Sequence, residues 1–232
     1  MKIAMWSGPR NLSTAMMYSF AARPDFAVMD EPFYAPYLAA TGQDHPMREE
    51  ILARHEVDPN KVKLAFSGSG NPHLYMKHMP HHMIDGFPMD WAEDCVNIHL
   101  IRHPARVIAS YAAKRETPTL SDIGFQQQLT LIEQLGGYLI DSYDIRRDPE
   151  GMLTRLCEVV GLPFDPAMLR WSAGPKPFDG VWAAHWYDAV HRSTGFAGPE
   201  GPEPELDGEA AALCREALPI YRAMWDSAEA LI

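Results

Sequence analysis

Gly8, Pro9, Arg10, Asn11, Leu12, Ser13 and Thr14 stand between an apolar strand-like run, Lys2 to Trp6, and a helix-like segment, Ser13 to Ala22. Strand, tight loop and a helix with hydroxyls in its first turn form a layout that binds oxyanions. Backbone N–H groups of such a loop and the N-terminus of the helix carry partial positive charge directed at the loop's ligand. Arg10 adds a full charge with a forked donor set suited to phosphate or sulfate oxygens. An ordinary strand-to-helix connection with Ser13 as the N-cap is the plain alternative. An arginine beside two hydroxyls favours the anion site without naming the anion. The loop is not the Gly-x-x-x-x-Gly-Lys-Ser/Thr motif of nucleoside triphosphate binders, because it has one glycine and no lysine.

A second motif lies at 96–111, Val-Asn-Ile-His-Leu-Ile-Arg-His-Pro-Ala-Arg-Val-Ile-Ala-Ser-Tyr. It predicts a buried strand, Val96 to Ile101, running into a helix opened by Pro104, whose missing N–H costs nothing at a first turn. Arg102 leaves the strand's carboxyl end and Ser110 follows eight residues on. Pro9 to Thr14 resembles the Pro-Arg-Ser-Gly-Thr-Thr loop of sulfotransferases that use 3′-phosphoadenosine 5′-phosphosulfate (PAPS). The second run resembles that family's Arg-[Asp/Asn]-Pro-x5-Ser, with His103 in place of the acid or amide. In the family the loop grips the donor's 5′-phosphosulfate, and the Arg/Ser pair holds its 3′-phosphate. Asn11 and Leu12 depart from the family's Ser-Gly. Leu12 lacks glycine's freedom at positive φ, so a different backbone path is expected there.

The resemblance implies a P-loop-like α/β fold (the sulfotransferase fold) with PAPS as co-substrate, adenosine 3′,5′-bisphosphate as product and no metal. Its acceptor would be a small molecule bearing a hydroxyl or amine. Two further stretches match more loosely. Residues 143–165 resemble the family's Asp-Pro-x-x-x-Leu and Gly-Leu-Pro-Phe segment, with Asp148 capping a helix, Pro149 opening it and Gly161 ending it. Arg192-Ser193-Thr194-Gly195 resembles a late Arg-Lys-x-Gly loop that closes over the donor's phosphates; a solvated loop is the equal alternative.

Sulfuryl transfer needs stabilisation of the leaving phosphate, a base for the acceptor's proton and a cation near the transferring group. Arg10, Ser13 and Thr14 with the loop amides suit the first role. Glu31 follows the second strand in Met29-Asp30-Glu31-Pro32-Phe33, a Glu-Pro pair resembling several bacterial members whose Glu is the base. Lys77, at the end of the third strand, suits the cation. Lys77-His78-Met79-Pro80 also resembles the Lys-Thr-His-Leu-Pro of small-molecule sulfotransferases, which makes His78 the rival base with one residue missing. His78, His81 and His82 lack an acid or cysteine beside them, which argues against a metal site.

The 232 residues, 47% of them hydrophobic, are enough for one α/β domain spanning 1–232. Strands are expected at Lys2–Trp6, Phe26–Met29, Leu74–Lys77, Val96–Ile101 and Tyr138–Asp141. Helices are expected at Ser13–Ala22, Pro59–Phe66, Pro104–Arg115, Asp122–Leu135 and Pro149–Val160. Their alternation predicts a parallel sheet with helices on both faces and ligands at the strands' carboxyl ends. Residues 172–207, rich in Pro, Gly and aromatics, read as a long loop or lid. A last helix, 208–230, would dock through Ala212, Ala217, Ile220, Met224 and Trp225.

A net charge of −11 argues against nucleic acid or an anionic membrane as partner. Arg102, Arg106, Lys114 and Arg115 nonetheless gather near the second motif. Cys95, Cys157 and Cys214 read as buried free thiols of a reducing, cytoplasmic compartment, and neither a membrane span nor a leader is seen. Two other classes stay open: a kinase-like phosphotransferase of the same fold, and a non-catalytic nucleotide-binding protein. No lysine lies in a recognisable pyridoxal-phosphate context.

Overall fold

All five expected strands form, and a sixth joins them. The computed structural model describes residues 1–68, 70–113 and 117–231. Strands β1 (Lys2–Ser7), β2 (Phe26–Asp30), β3 (His73–His78), β4 (Val96–Ile101), β5 (Tyr138–Asp141) and β6 (Glu229–Ala230) make one parallel sheet in the order β2-β3-β1-β4-β5-β6. Parallel neighbours can be joined only by crossovers, which the intervening helices supply. The strand sequences are near-continuous apolar runs, as in sheets buried on both faces: Ile3, Ala4, Met5, Trp6, Ile98 and Leu100 are all fully buried.

The chain divides into two compact units. The first comprises Met1–Ala4, Thr14–Val96 and Asp165–Phe196; the second comprises Met5–Ser13, Asn97–Phe164 and the residues from Ala197 on. Within the second unit, Ile101, Val107, Ile123, Phe125, Leu129, Ile132 and Leu139 form a core that the last helix closes. That helix, Gly208–Ser227, buries Ala217 and Met224, with Leu213, Ile220 and Trp225 packed beside them. Positions 213, 217, 220 and 224 are one helical stripe; Ala212 lies a residue off it and is exposed, contrary to expectation. The helix stops at Ser227, short of 230, because the tail pairs with β5 instead: Leu139 stands opposite Ala230, and Leu231 N–H donates to Leu139 O at 2.8 Å.

The single helix expected over 122–135 is two, Leu120–Ile123 and Phe125–Leu135, divided at Gly124 with φ 70°. Glycine adopts this left-handed conformation at no steric cost, and the break turns the second helix towards the first loop. The helix after β4 is Pro104–Ala112, and Lys114 and Arg115 lie outside the described residues. Asp148 caps Pro149–Val159 by accepting from Gly151 N–H at 3.0 Å, and its stripe of Met152, Leu153, Leu156, Cys157 and Val160 is buried.

In the first unit, helices Tyr34–Thr41 and Arg48–Arg54 were not foreseen. The first half of the 172–207 segment folds inward. Trp182 and Tyr187 are 1% and 6% exposed; Trp182 precedes the short helix Ala183–Trp186, and Tyr187 joins it to a second, Asp188–His191. Burying two large aromatic rings outweighs the loop-like composition. Of the cysteines only Cys157 is buried; Cys95 and Cys214 are half-buried, and all three are free thiols.

Candidate functional site

The loop after β1 is held in place by contacts inside the second unit. Gly8 is required by a close approach: a Cβ there would lie 2.8 Å from the Ile123 carbonyl oxygen. Its N–H donates to Gln128 Oε1 at 3.1 Å, and Gln128 Nε2 donates to Trp6 O and Leu100 O, each at 3.1 Å. One buried amide therefore ties the ends of β1 and β4 to the loop. Asn11 Nδ2 adds a bond to Leu100 O at 3.3 Å.

Arg10 and Leu12 both have left-handed backbones, φ 65° and 75°. Leu12 thus takes the left-handed conformation that a glycine adopts freely, at a cost of about 1–2 kcal/mol. Strain of this kind persists where surrounding contacts over-determine the backbone, and it gathers at functional loops. Ser13 begins the helix Ser13–Ala21 and Thr14 follows it. The Arg10 guanidinium lies over the Tyr111 ring, 5.2 Å from its centroid.

At the end of β4, Arg102 NH1 donates to Arg10 O at 2.7 Å, locking the second motif to the first. His103 fills the cap position of the family's acid or amide: its Nδ1 accepts from Ala105 N–H at 3.4 Å. Burial lowers the His103 pKa, keeping that nitrogen available as an acceptor. Ser110 sits half-buried on the following helix. Arg102 NH2, Arg146 NH1 and Arg106 Nε converge on the Glu200 carboxylate at 2.5, 2.9 and 3.0 Å. The Glu200 side chain is 3% exposed. Burial pulls the Arg102 pKa down and Glu200 opposes it.

The first unit holds a separate polar cluster. Asp30 ends β2 opposite Lys77 of β3, and Glu31 follows with φ 42°. Lys77 Nζ donates to Glu31 Oε1 at 2.7 Å and to Asp30 Oδ1 at 3.1 Å, and it is 1% exposed. Tyr187 Oη donates to Asp30 at 2.7 Å and accepts from Trp182 Nε1 at 3.1 Å and from Lys77. Gly180 N–H completes Asp30 at 3.1 Å. Burial raises the Asp30 pKa, with Glu31's like charge adding to it. Burial alone would lower that of Lys77, but the two carboxylates outweigh it and hold the ammonium.

Strand alternation sends His78 the other way from Lys77. Its ring packs among Phe33, Phe66 and Trp91, where burial lowers its pKa to about 3. His82 stacks on Tyr34, with Nδ1 3.9 Å from Glu31 Oε2. Among the described residues no group of three or more His, Cys, Asp or Glu could hold a metal.

Arg192 pairs with Asp188 on the surface, Ser193 Oγ accepts from Trp171 Nε1 at 3.0 Å, Thr194 O accepts from Trp171 N–H, and Gly195 bridges Arg170. In the first unit, then, Glu31 and Lys77 meet while His78 and the 192–195 stretch point elsewhere. In the second, Arg102 meets the Arg10 loop. Sequence reasoning did not assign Asp30, Tyr187, Gln128, Arg146 or Glu200. Asp30 had a signal, an acid beside Glu31 at a strand end, whereas the others come from distant segments.

Residues 1–228 match the family described as Sulfotransferase domain. The chain belongs to the sulfotransferase family. Two solved sulfotransferase domains share its fold: one from the Synechococcus PCC 7002 olefin synthase and one from the curacin biosynthetic pathway. The first has a TM-score of 0.51 at 18% identity, covering 93% of this chain and 94% of that one. The second has a TM-score of 0.54 at 16% identity, covering 92% and 96%. Two curated relatives from Arabidopsis thaliana, branched-chain-amino-acid aminotransferase-like proteins 1 and 2, are 38% and 34% identical over 226 residues. These cover 94% of this sulfotransferase-family chain and 40% of each relative, so the chain spans under half the length of those proteins. No helix among the described residues is long and apolar enough to cross a membrane.

Proposed function

We propose that this protein transfers a sulfuryl group from PAPS to a hydroxyl or amine of a small-molecule acceptor. The observation that carries the reading is the bond from Arg102 to the carbonyl of Arg10, which couples the loop to an arginine cluster already closed on an anion. A site that gathers three guanidinium groups about one carboxylate has the donor chemistry a phosphate needs. Gly8, Asn11, Leu12 and Pro9 shape the loop. Arg10, Ser13 and Thr14 stabilise charge developing on the bridging oxygen of the leaving phosphate, and Arg102 with Ser110 holds the 3′-phosphate.

Glu31 takes the acceptor's proton, and Lys77 orients that carboxylate and offsets charge near the transferring group. His78 suits the base role less, since burial among aromatic side chains lowers its pKa to about 3. Arg192, Ser193, Thr194 and Gly195 are kept as a proposed outer contact to the donor, with Arg192 leaving Asp188 to make it. The absence of a Walker-type lysine disfavours the kinase-like reading. The aminotransferase-like names of the longer relatives carry no pyridoxal chemistry to these residues.

Equilibrium binding tests the reading. Adenosine 3′,5′-bisphosphate should bind without metal and more tightly than Mg-ATP, and labelled PAPS should turn over with some member of an acceptor panel. Arg102→Ala and Ser110→Ala should each weaken the bisphosphate by roughly one to two decades while leaving adenosine 5′-monophosphate nearly unmoved. Equal weakening of both nucleotides would remove the 3′-phosphate assignment. Tight bisphosphate binding with no turnover would favour a non-catalytic nucleotide-binding protein.

A further inference from the structure

We infer that Glu200 is an internal competitor for the donor's 3′-phosphate, and that Arg106 and Arg146 complete that phosphate site with Arg102. The inference rests on the donor reading above and assigns to its phosphate site two ligands and a gate. The family resemblance implies that Arg102 holds the 3′-phosphate; the folded chain puts Arg102 against a carboxylate of its own. Glu200 belongs to a short stretch rich in Pro and Gly, Gly198-Pro199-Glu200-Gly201, and the same arginines also hold its backbone. Arg146 Nε donates to Gly198 O at 2.9 Å, and Arg106 NH2 donates to Gly201 O at 2.8 Å. His103 Nε2 lies 3.5 Å from Glu203 Oε2 just beyond. The stretch is therefore latched through the groups a phosphate would use.

Charge and geometry together make the latch exchangeable. One carboxylate carries a single negative charge on two oxygens, and here three guanidinium groups share it. A phosphate monoester carries close to two charges on three oxygens, so it can give each of three forks an oxygen where the carboxylate cannot. The stretch around Glu200, Ala197 to Pro202, brings no large apolar side chain of its own that would have to be unpacked. Exchange costs the ion pairs to Glu200 and the arginine bonds to Gly198 O and Gly201 O, and the incoming phosphate offers the same guanidinium groups new acceptors. The carboxylate holds the arginines together and offsets part of their charge when no donor is bound. It also sets a threshold that a 3′-phosphate must overcome to open the latch, whereas a nucleotide without one leaves the latch closed.

The experiment measures binding of adenosine 3′,5′-bisphosphate and adenosine 5′-monophosphate to the wild type and to Glu200→Gln, Arg146→Gln and Arg102→Ala. Glu200→Gln should tighten the bisphosphate by about tenfold or more and shift the monophosphate by less than about twofold. Arg146→Gln should weaken the bisphosphate selectively, as Arg102→Ala does. If Arg102→Ala is selective but Glu200→Gln leaves the ratio of the two affinities unchanged, or weakens the bisphosphate, the competition is overturned while the donor reading stands. If Arg102→Ala is not selective, the donor reading itself falls. Hydrogen exchange in the wild type guards against a Gln variant that fails to fold. The amides of Ala197, Gly198, Glu200 and Gly201 should exchange faster when the bisphosphate is added, and slower or unchanged exchange would overturn the proposal.

Discussion

Replacing Asp141 by Asn should stabilise the protein at neutral pH and not at pH 4. Asp141 ends β5 and is 3% exposed. Burial raises its pKa from 3.8 to about 6; bonds from Tyr143 N–H and Tyr221 Oη oppose the shift, and the charges of Asp144 and Glu200 add to it. In the unfolded chain the group titrates near its ordinary value, so between pH 4 and 6 the folded state binds more protons than the unfolded one. Stability from this group is therefore fully present below about pH 4 and is lost as pH rises through 6. A shift of about two units corresponds to about 3 kcal/mol above pH 6.5, at 1.36 kcal/mol per unit.

The side-chain amide introduced by Asp141→Asn can still accept from Tyr143 N–H, which Asp141 caps at 2.7 Å, and can bond to the Tyr221 oxygen, now 2.7 Å from Oδ2. The helix it caps, Ser142–Arg147, carries Arg146, so the fold around the arginine cluster is retained. Denaturant unfolding at pH 4.0 and 7.5 gives the difference between variant and wild type at each pH. That difference should move in favour of the variant by about 3 kcal/mol across the interval, and titrations common to both proteins cancel in it. A difference that stays constant from pH 4 to 7.5 would show Asp141 already ionised at pH 4, refuting the argument that burial dominates.

Three further outcomes are expected. Arg10→Ala should lower kcat more than it weakens donor binding, because its charge matters most as the bridging oxygen becomes anionic; a raised KM with kcat unchanged would make Arg10 a ground-state anchor only. Glu31→Gln should cut kcat by about 10²–10⁴ with bisphosphate affinity nearly intact, and His78→Asn, compared at equal folded fraction, should cost far less; the reverse ranking would pass the base role to His78. Tyr187→Phe removes the acceptor of Trp182 Nε1 and a donor to Asp30, so it should destabilise by about 1–3 kcal/mol. That is a fall in Tm of roughly 2–4 °C per kcal/mol by calorimetry, and an unshifted Tm would mean the hydroxyl contributes nothing net.

Local signals carried the strands and the loop after β1. Apolar runs of four to six residues with helix-like spacing between them specify parallel crossovers, and Gly8 to Thr14 lies where a strand gives way to a helix. The Arg102 run was legible for the same reason, since a proline opens its helix and places Ser110 at a set distance along it. Leu12 shows the limit of such reasoning. Residue type makes a left-handed backbone costly there, yet Gln128, Asn11 and Arg102 hold the loop ends so firmly that leucine takes it anyway. Gly124, read as part of one long helix, divides it by taking a left-handed backbone, and the Ile123 carbonyl just before it lies where a Cβ on Gly8 would clash.

Long-range partners belong to tertiary structure alone. Lys77 could be placed at a strand end, but only folding sets it between Asp30 and Glu31 and brings Tyr187, more than a hundred residues away, onto the same ammonium. Composition marks 172–207 as a long loop or lid, but only the fold shows that Trp182 and Tyr187 are the side chains that draw it inward. Glu200 sits in an acidic, proline-rich tract that reads as surface. Its burial against Arg102, Arg106 and Arg146 depends on three arginines gathered from two separate segments, a convergence no local pattern encodes. What this sequence determines by itself is the sheet, the loop and the chemistry they could hold; which charges meet is decided when the segments pack.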